Sequence, residues 1–419
     1  MHHCMEKRMR ILIVSLEYPP SSIGGYGVMC AQVCEWLRQQ GHDLLILTTI
    51  PLEAHTEQGR VEREGSIPVR RVLHSYWDGS ACLYPPLLDA LAIERANQRQ
   101  FQEILAEYQP DVVSFWHMGD MSLGLITITA RLEVPIVFVI GDDWLCYGGW
   151  TDAWIRRFWQ HPKHADAVER QTGIPTRLPD LGSLGTFCFV SDYTRRRAEN
   201  KGGWRIPHFD ITFPGISRTE FPPLPQIPDH PWKWNILWIG RVIEEKGIVT
   251  AINALGALPG ETILQVVGPV DLAYRRHLEE VATTLGVADY LSFSLTARQE
   301  VGLRYQQADV TLFTSMIEHE AFGLVPLEAM ASGCPVISTC VGGSGEYCID
   351  GVNCLQVSPG DAEALAHAVQ KLATNPDLRH HLIKGGLQTA DELTLDRQAK
   401  RIEHLLLSAA ATYKGGNRS

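Results

Sequence analysis

The sequence predicts an α/β protein built from two doubly wound parallel sheets facing across a cleft, and three observations carry that expectation. At 419 residues the chain is longer than one core commonly organises. Short runs rich in Val, Ile and Leu alternate with longer stretches of helical spacing, the pattern of parallel strands covered by helices on both faces. A proline-dense segment near the middle divides those runs into two sets.

In the first set the runs are ILIVSL (11–16), DLLILTT (43–49), VRRVL (69–73), DVVSFW (111–116), PIVFVI (135–140) and TFCFVS (186–191). The second set is NILWIG (235–240), TILQVVG (262–268), YLSFSL (290–295), DVTLFTS (309–315) and PVISTC (335–340). Between them, the prolines of FPPLPQIPDHPWKW (221–234) supply no ladder donors and favour an extended connection. The domains expected are 1–225, 226–394, and a terminal segment 395–419 packing back on the first. Helical periodicity over 361–389 and 395–412, with no strand between, predicts two terminal helices. Ligands of such sheets bind beyond the carboxyl ends of the strands.

Composition narrows the function. A net charge of −11 excludes a nucleic-acid backbone as the main ligand, because phosphate chains demand a basic footprint. The ten cysteines are scattered and include no Cys-x-x-Cys pair, so reduced, buried thiols are expected, with Cys30 and Cys34 on one helical face. No apolar run approaches the ~18 residues of a spanning helix, and MHHCMEKRMR lacks a secretory core, which predicts a cytoplasmic protein. The opening eight residues read as a loose extension whose two histidines bind no metal.

The most informative stretch is EHEAFGLVPLEAMASGCPVIST (318–339), a loop leading into a helix and then a strand. Gly323 stands where the helix begins, so backbone N–H groups at Gly323, Leu324 and Val325 can face a phosphate. A charge–dipole contact of this kind is worth about 0.3–1 kcal/mol when exposed and up to ~2 when partly buried. Glu320 in the loop suits vicinal sugar hydroxyls, and Glu328, two turns on, suits a ribose diol. Glu328 is flanked by Leu324, Leu327, Ala329, Met330 and Ala331, so its carboxylate needs a partner. In GRVIEEKG (240–247), Arg241 and Lys246 sit in a strand-to-helix loop, placed to neutralise a departing diphosphate.

In the first half, Gly24, Gly25 and Gly27 of EYPPSSIGGYG (17–27) let main-chain amides approach a phosphate, while the Gly-x-Gly-x-x-Gly dinucleotide spacing is absent. His117 closes one strand, and Asp142 and Asp143 close another, so all three project from carboxyl ends. A histidine there can hydrogen-bond a sugar, and an aspartate can hold or deprotonate an acceptor hydroxyl. Trp144, Tyr147, Trp150, Trp154 and Trp159 crowd the next stretch, as a satellite apolar cluster or a face for sugar rings or a membrane interface. With RRFWQHPKH (156–164) they raise a peripheral membrane contact on the inner face as an open reading.

Together these segments resemble the family-4 retaining glycosyltransferases, a GT-B family of two Rossmann-like domains, from about Met9 to the last helices. GRVIEEKG resembles that family's Gly-Arg-Leu…Lys-Gly segment with Val242 for leucine, EAFGLVPLEAMASGCPVIST its two-glutamate signature, and VGGSGEYCIDGVNCLQV (341–357) the segment that follows. The resemblance implies that Arg241 and Lys246, with Gly25, Gly323, Leu324 and Val325, bind a donor diphosphate. It implies that Glu320 binds the sugar hydroxyls, Glu328 the ribose, and His117 the donor sugar. GDDW replaces the His-Asp pair common in the family, and Asp143 is taken as the acceptor-side catalytic residue beside Glu320 and His117.

The implied reaction is hexosyl transfer from a UDP- or GDP-sugar to a saccharide, lipid-linked or small-molecule hydroxyl, in carbohydrate or glycan biosynthesis. No covalent nucleophile presents itself, so retention implies a front-face path in which the departing diphosphate helps deprotonate the acceptor. No Asp-x-Asp triplet occurs, and no metal or other cofactor is expected. The alternatives are another GT-B enzyme, such as a nucleotide-sugar 2-epimerase or a sugar synthase or phosphorylase, and a non-catalytic nucleotide-binding protein.

Overall fold

The computed structural model describes residues 8–21, 24–51, 61–64, 67–79, 81–159, 161–227, 231–318 and 320–416. The opening segment with its two histidines lies outside the described residues up to position 7, as do positions 228–230 of the proline-rich segment. The chain divides into two compact units, one of residues 1–212 and 398–419 and one of residues 213–397.

The first unit runs β1 (Arg10–Val14), α1 (Gly25–Gln39), β2 (Asp43–Thr49), β3 (Val61–Glu64), β4 (Ile67–Leu73), α2 (Leu87–Tyr108), β5 (Val112–Phe115), α3 (Gly124–Arg131) and β6 (Ile136–Ile140). It continues through α4 (Trp144–Thr151), α5 (Ala153–Phe158), α6 (Pro162–Thr172), β7 (Thr186–Phe189), α7 (Asp192–Asn200) and β8 (Phe209–Ile211). The sheet order is β3-β4-β2-β1-β5-β6-β7-β8, parallel except for β3, which pairs antiparallel with β4. The order reverses direction between β1 and β5, so the carboxyl ends of those neighbours diverge into helices on opposite faces. Strands β1, β5 and β6 are apolar at nearly every position because both faces are covered. The core between sheet and helices holds Leu12, Val14, Phe101, Phe115, Phe138 and Phe187.

The second unit runs β9 (Asn235–Ile239), α8 (Ile248–Leu255), β10 (Ile263–Val267), α9 (Leu272–Thr284), β11 (Leu291–Ser294), α10 (Val301–Gln307), β12 (Val310–Phe313), α11 (Leu324–Ala331), β13 (Val336–Ser338), β14 (Leu355–Gln356), α12 (Ala362–Thr374) and α13 (Pro376–Glu392). Its sheet order is β11-β10-β9-β12-β13-β14, parallel at every pairing. The switch point lies between β9 and β12, and Ile236, Trp238, Ile248, Leu264 and Leu312 fill the core.

Two doubly wound parallel sheets are therefore present. The strands that the apolar runs did not reveal are β3, β8 and β14, each at a sheet edge and two to four residues long. One terminal expectation needs correction: 361–389 is two helices, not one. Asn375 accepts a hydrogen bond from the Leu378 N–H at 3.0 Å, and Pro376 opens the next helix. A residue before proline is driven from helical backbone, so the apolar period continues while the helix restarts.

The last helix, α14 (Leu395–Gly416), belongs to the first unit from Gln398 on. Buried His42 accepts from the Met9 N–H at Nδ1, 3.3 Å, which leaves Nε2 carrying the proton it donates to Glu403 Oε1 at 2.8 Å. Arg401 pairs with Asp210 next to β8. Among the described residues no helix is long and apolar enough to cross a membrane.

Glu403→Ala leaves the buried His42 N–H without an acceptor, and an orphaned buried donor costs about 1–3 kcal/mol. A urea titration should show the midpoint fall with an unchanged slope; an unchanged midpoint would make the contact dispensable.

Candidate active site

In the second unit the loops after β9 and β12 are stitched together at their carboxyl ends. The Met316 N–H donates to Glu245 O at 2.9 Å, and Thr314 Oγ1 donates to Lys246 O at 3.0 Å. Gly247 has φ +70°, and a Cβ there would lie 2.0 Å from Thr314 O, so only glycine permits this approach. The stitching brings Lys246 Nζ to 2.5 Å from Glu320 Oε2, an ion pair whose acid also accepts from Ser315 Oγ at 3.1 Å. Gly343 N–H fixes the Glu320 backbone by donating to its carbonyl at 2.8 Å. Arg241 stands exposed on the same post-β9 loop.

Helix α11 begins at Gly323, whose φ of +77° is a left-handed conformation, and a Cβ there would press within 2.9 Å of the Phe313 ring. No side-chain hydrogen bond caps this helix and no acid sits in its first turn. Pro326 removes one orphan N–H from that turn, leaving amides at Leu324 and Val325 to meet an anion. The helix's positive end is therefore not neutralised by a carboxylate of its own.

Glu328 is buried one turn along α11, not two as the sequence suggested, and two side chains hold its carboxylate. Arg298 Nη1 donates to Oε1 at 2.6 Å and Tyr305 Oη donates to Oε2 at 3.0 Å. Arg298 also pairs with Glu220 at 2.7 Å and lies over the Phe221 ring. Burial pushes the Glu328 carboxyl above its ordinary value more than Arg298 pulls it down. Arg298, Tyr305 and Glu220 come from segments 23–108 residues away, so nothing near Glu328 in the sequence reveals them as its partners.

In the first unit, helix α1 starts at Gly24 and Gly25 with neither a side-chain cap nor an acid in its first turn. A Cβ on Gly24 would meet nothing within 4 Å. The next residue, Tyr26, donates its hydroxyl to Val139 O and stacks on the His117 ring at 5.3 Å. His117 Nε2 lies 3.3 Å from both Asp142 Oδ2 and Tyr147 Oη, and Tyr147 donates to Asp142 at 2.6 Å. His117 Nδ1 is buried with no partner in the protein. Burial would lower the His117 pKa, but the Asp142 carboxylate outweighs it and holds the value above 6.5. Asp142 is held below its usual range, since His117 and Tyr147 outweigh the opposing effect of burial.

Asp143, the aspartate singled out from sequence, is not in that group. Its carboxylate is tied to Arg197 of α7 at 2.6 Å, and its neighbour Asp142 faces the histidine. The following aromatic stretch also divides. Trp144 and Trp154 are core residues, Tyr147 joins the histidine group, and Trp150 and Trp159 form an exposed edge-to-face pair at 4.8 Å. Arg156 lies over Trp150, and Arg157 over exposed Tyr84. Cys30 and Cys34 are fully buried. Among the described residues, the grouping of three potential metal ligands is Cys340, Cys348 and Cys354, and it includes none of the donor-site residues predicted.

The second unit thus offers a cation pair, an uncapped helix end and two held carboxylates, a set suited to a diphosphate attached to diol-bearing sugars. The first unit offers a histidine–aspartate group whose imidazole pKa is raised, with one ring nitrogen that has no partner in the protein.

Residues 226–389 match a family model described as "Glycosyl transferases group 1", and residues 24–172 match one described as "Glycosyl transferase 4-like domain". The chain is 26% identical over 389 residues to a glycogen synthase of Mycobacterium tuberculosis, covering 88% of this chain and 87% of that protein. It is 36% identical over 227 residues to the lipopolysaccharide core biosynthesis glycosyltransferase LpsE of Rhizobium meliloti, covering 54% and 65%. Among solved structures, sucrose-phosphate synthase from Thermosynechococcus elongatus superposes with a TM-score of 0.73 at 20% identity, covering 97% of this chain and all of that one. Anabaena Alr3699/HepE in complex with UDP and glucose superposes at 0.67 with 17% identity, covering 96% of this chain and 100% of that one. These two likenesses show the fold.

The imidazole of His117 should titrate above 6.5 by NMR and move down in Asp142→Asn. Because the His117 value is raised and the Asp142 value lowered, the stabilisation from this pair is full between the ordinary ranges of the two groups, is lost as pH rises through the folded His117 value, and is lost again in acid as pH falls through the folded Asp142 value. A His117 midpoint indifferent to Asp142→Asn would break the pairing.

Proposed function

The chain belongs to the family-4 GT-B glycosyltransferases, and from that premise we propose that it transfers a sugar from a nucleoside-diphosphate donor to a carbohydrate hydroxyl with retention of anomeric configuration. The observation that carries this reading is the meeting of Lys246, Glu320 and the uncapped start of α11 in one place, joined by the 341–347 loop. A lone ammonium–carboxylate pair at a helix start is a resting arrangement that an incoming diphosphate can divide. The phosphates take Lys246, exposed Arg241 and the Gly323, Leu324 and Val325 amides, and Glu320 turns its lone pairs to the sugar hydroxyls.

Glu328 receives the ribose with one carboxylate oxygen while Arg298 and Tyr305 hold its orientation. In the first unit, Gly25 at the start of α1 is a second anion-accepting helix end, His117 hydrogen-bonds the sugar, and Asp142 orients that imidazole and raises its pKa. Asp143, tied to Arg197, acts on the acceptor side by shaping the α4 start rather than as a free base.

The bond from the anomeric carbon to the diphosphate oxygen breaks, and a bond from the acceptor oxygen forms on the same face. The acceptor proton passes to the departing diphosphate oxygen, whose growing charge is met by Arg241, Lys246 and the α11 amides. No divalent cation is assigned to the diphosphate, since those cationic groups occupy its place. UDP is the favoured nucleotide, because UDP and glucose are bound in the structurally similar Anabaena protein. A carbohydrate acceptor fits the relatives named for glycogen and lipopolysaccharide core synthesis. Exposed Trp150, Trp159 and Tyr84 with Arg156 and Arg157 support peripheral contact with an anionic membrane on which a lipid-linked acceptor would lie.

Calorimetry with UDP, GDP and ADP, followed by hydrolysis of the matching sugars, tests the donor. Arg241→Ala should weaken nucleotide binding by about 1.5–3 kcal/mol for each charge-assisted hydrogen bond lost. Glu320→Ala should lower turnover far more than nucleotide affinity, since it also releases Lys246 from its acid. Wild-type rates in both variants would remove the site, and free UDP with an altered free sugar in the absence of acceptor would favour an epimerase.

Activity should survive EDTA. Complete loss, restored by magnesium or manganese, would put a metal on the diphosphate instead.

A further inference from the structure

We propose that Cys340, Cys348 and Cys354 form a three-thiolate site for a thiophilic divalent metal ion, Zn2+ in the first instance, independent of the donor reading. Cys340 lies two residues past β13 and Cys354 immediately before β14, its neighbour in the sheet. Cys348 comes from the connection between them, where its N–H donates to Ser344 O at 3.0 Å. The three sulfurs lie within 4.8 Å of one another, and the Cys340 and Cys354 sulfurs are 4.0 Å apart. A zinc–thiolate bond of ~2.3 Å places ligand sulfurs about 3.8–4.0 Å apart in a tetrahedral or trigonal site, so one edge already has ligand spacing.

Three converging sulfurs distinguish this reading from a disulfide, which joins two and leaves the third without purpose. Cys340 also holds a left-handed backbone, φ 51°, which few residues other than glycine adopt. Cys348 and Cys354 are buried and Cys340 is half-buried, so the site is walled on the protein side and open past Cys340, where a water completes the coordination. Soft sulfur ligands select zinc and related ions over magnesium or calcium. Binding forms three S–Zn bonds and releases to solvent the protons of those thiols that are not already thiolates.

The site ties both ends of the segment 341–347. That segment carries the Gly343 N–H donated to Glu320 O, the Tyr347 hydroxyl donated to Gly323 O, and the Tyr347 ring stacked on Phe322 at 4.6 Å. An ion at its base would hold the loop against the start of α11. The Cys-x7-Cys-x5-Cys spacing has no Cys-x-x-Cys pair, so only the fold assembles it.

The test titrates the full-length, reduced and metal-stripped protein with Zn2+ against a chromophoric chelator, and with Cd2+ while recording near-ultraviolet absorption. Expected are one ion per chain, proton release, and a sulfur-to-cadmium charge-transfer band of three-thiolate intensity. Cys340→Ser, the least buried of the three, should weaken zinc binding by more than about tenfold, since even outer partners of a metal ligand are worth that much. Cys30→Ser should bind as the wild type. The proposal is overturned by cadmium uptake without the band in the wild type, by unchanged zinc affinity in Cys340→Ser, or by a disulfide among the three in place of metal binding.

Discussion

The ion pair between Lys246 and Glu320 is the constraint around which the second unit's reactive end is arranged. Two opposite charges held at 2.5 Å and mostly out of water offset each other's desolvation only while both stay in place. Holding them requires the post-β9 and post-β12 loops to touch, which requires glycine at 247, and requires the loop after β13 to grip the Glu320 backbone. The loops after three neighbouring strands of one sheet, β9, β12 and β13, thus converge on one lysine–glutamate pair. The same electrostatic economy leaves the start of α11 without a capping acid, so that the local field favours an incoming anion.

The first unit solves a comparable problem with different groups. Asp142 is surrounded by His117, Tyr147 and the Trp144 N–H, so its charge is stabilised from three directions. The adjacent Asp143 is consumed by Arg197. The two neighbouring carboxylates thereby take separate partners, and only Asp142 meets the histidine.

How much of this was legible depended on whether the signal was local. Strands β1, β2, β5, β6 and β12 announce themselves because burial on both faces demands an unbroken apolar run. The edge strand β3, VERE, carries alternating charge and is invisible to the same test. The donor segment was readable since Gly323, Glu320 and Glu328 lie within nine residues of one another. Arg298 and Tyr305 were not, because an arginine in TARQE looks like any solvated charge until the sheet places it against α11. The choice between Asp142 and Asp143 was beyond sequence too: one residue of turn geometry decides which faces His117. The cysteine trio shows the same limit, since its members are distant enough to escape any short spacing motif.

The division of the chain also bears on its synthesis. Residues 213–397 form an uninterrupted stretch, whereas the first unit lacks most of α14 until the residues from 398 on have been made. His42 must wait for Glu403 across 361 positions of polypeptide. On the ribosome, the first unit therefore emerges first yet is completed after the second, with the seat for α14 open to solvent while residues 213–397 are translated.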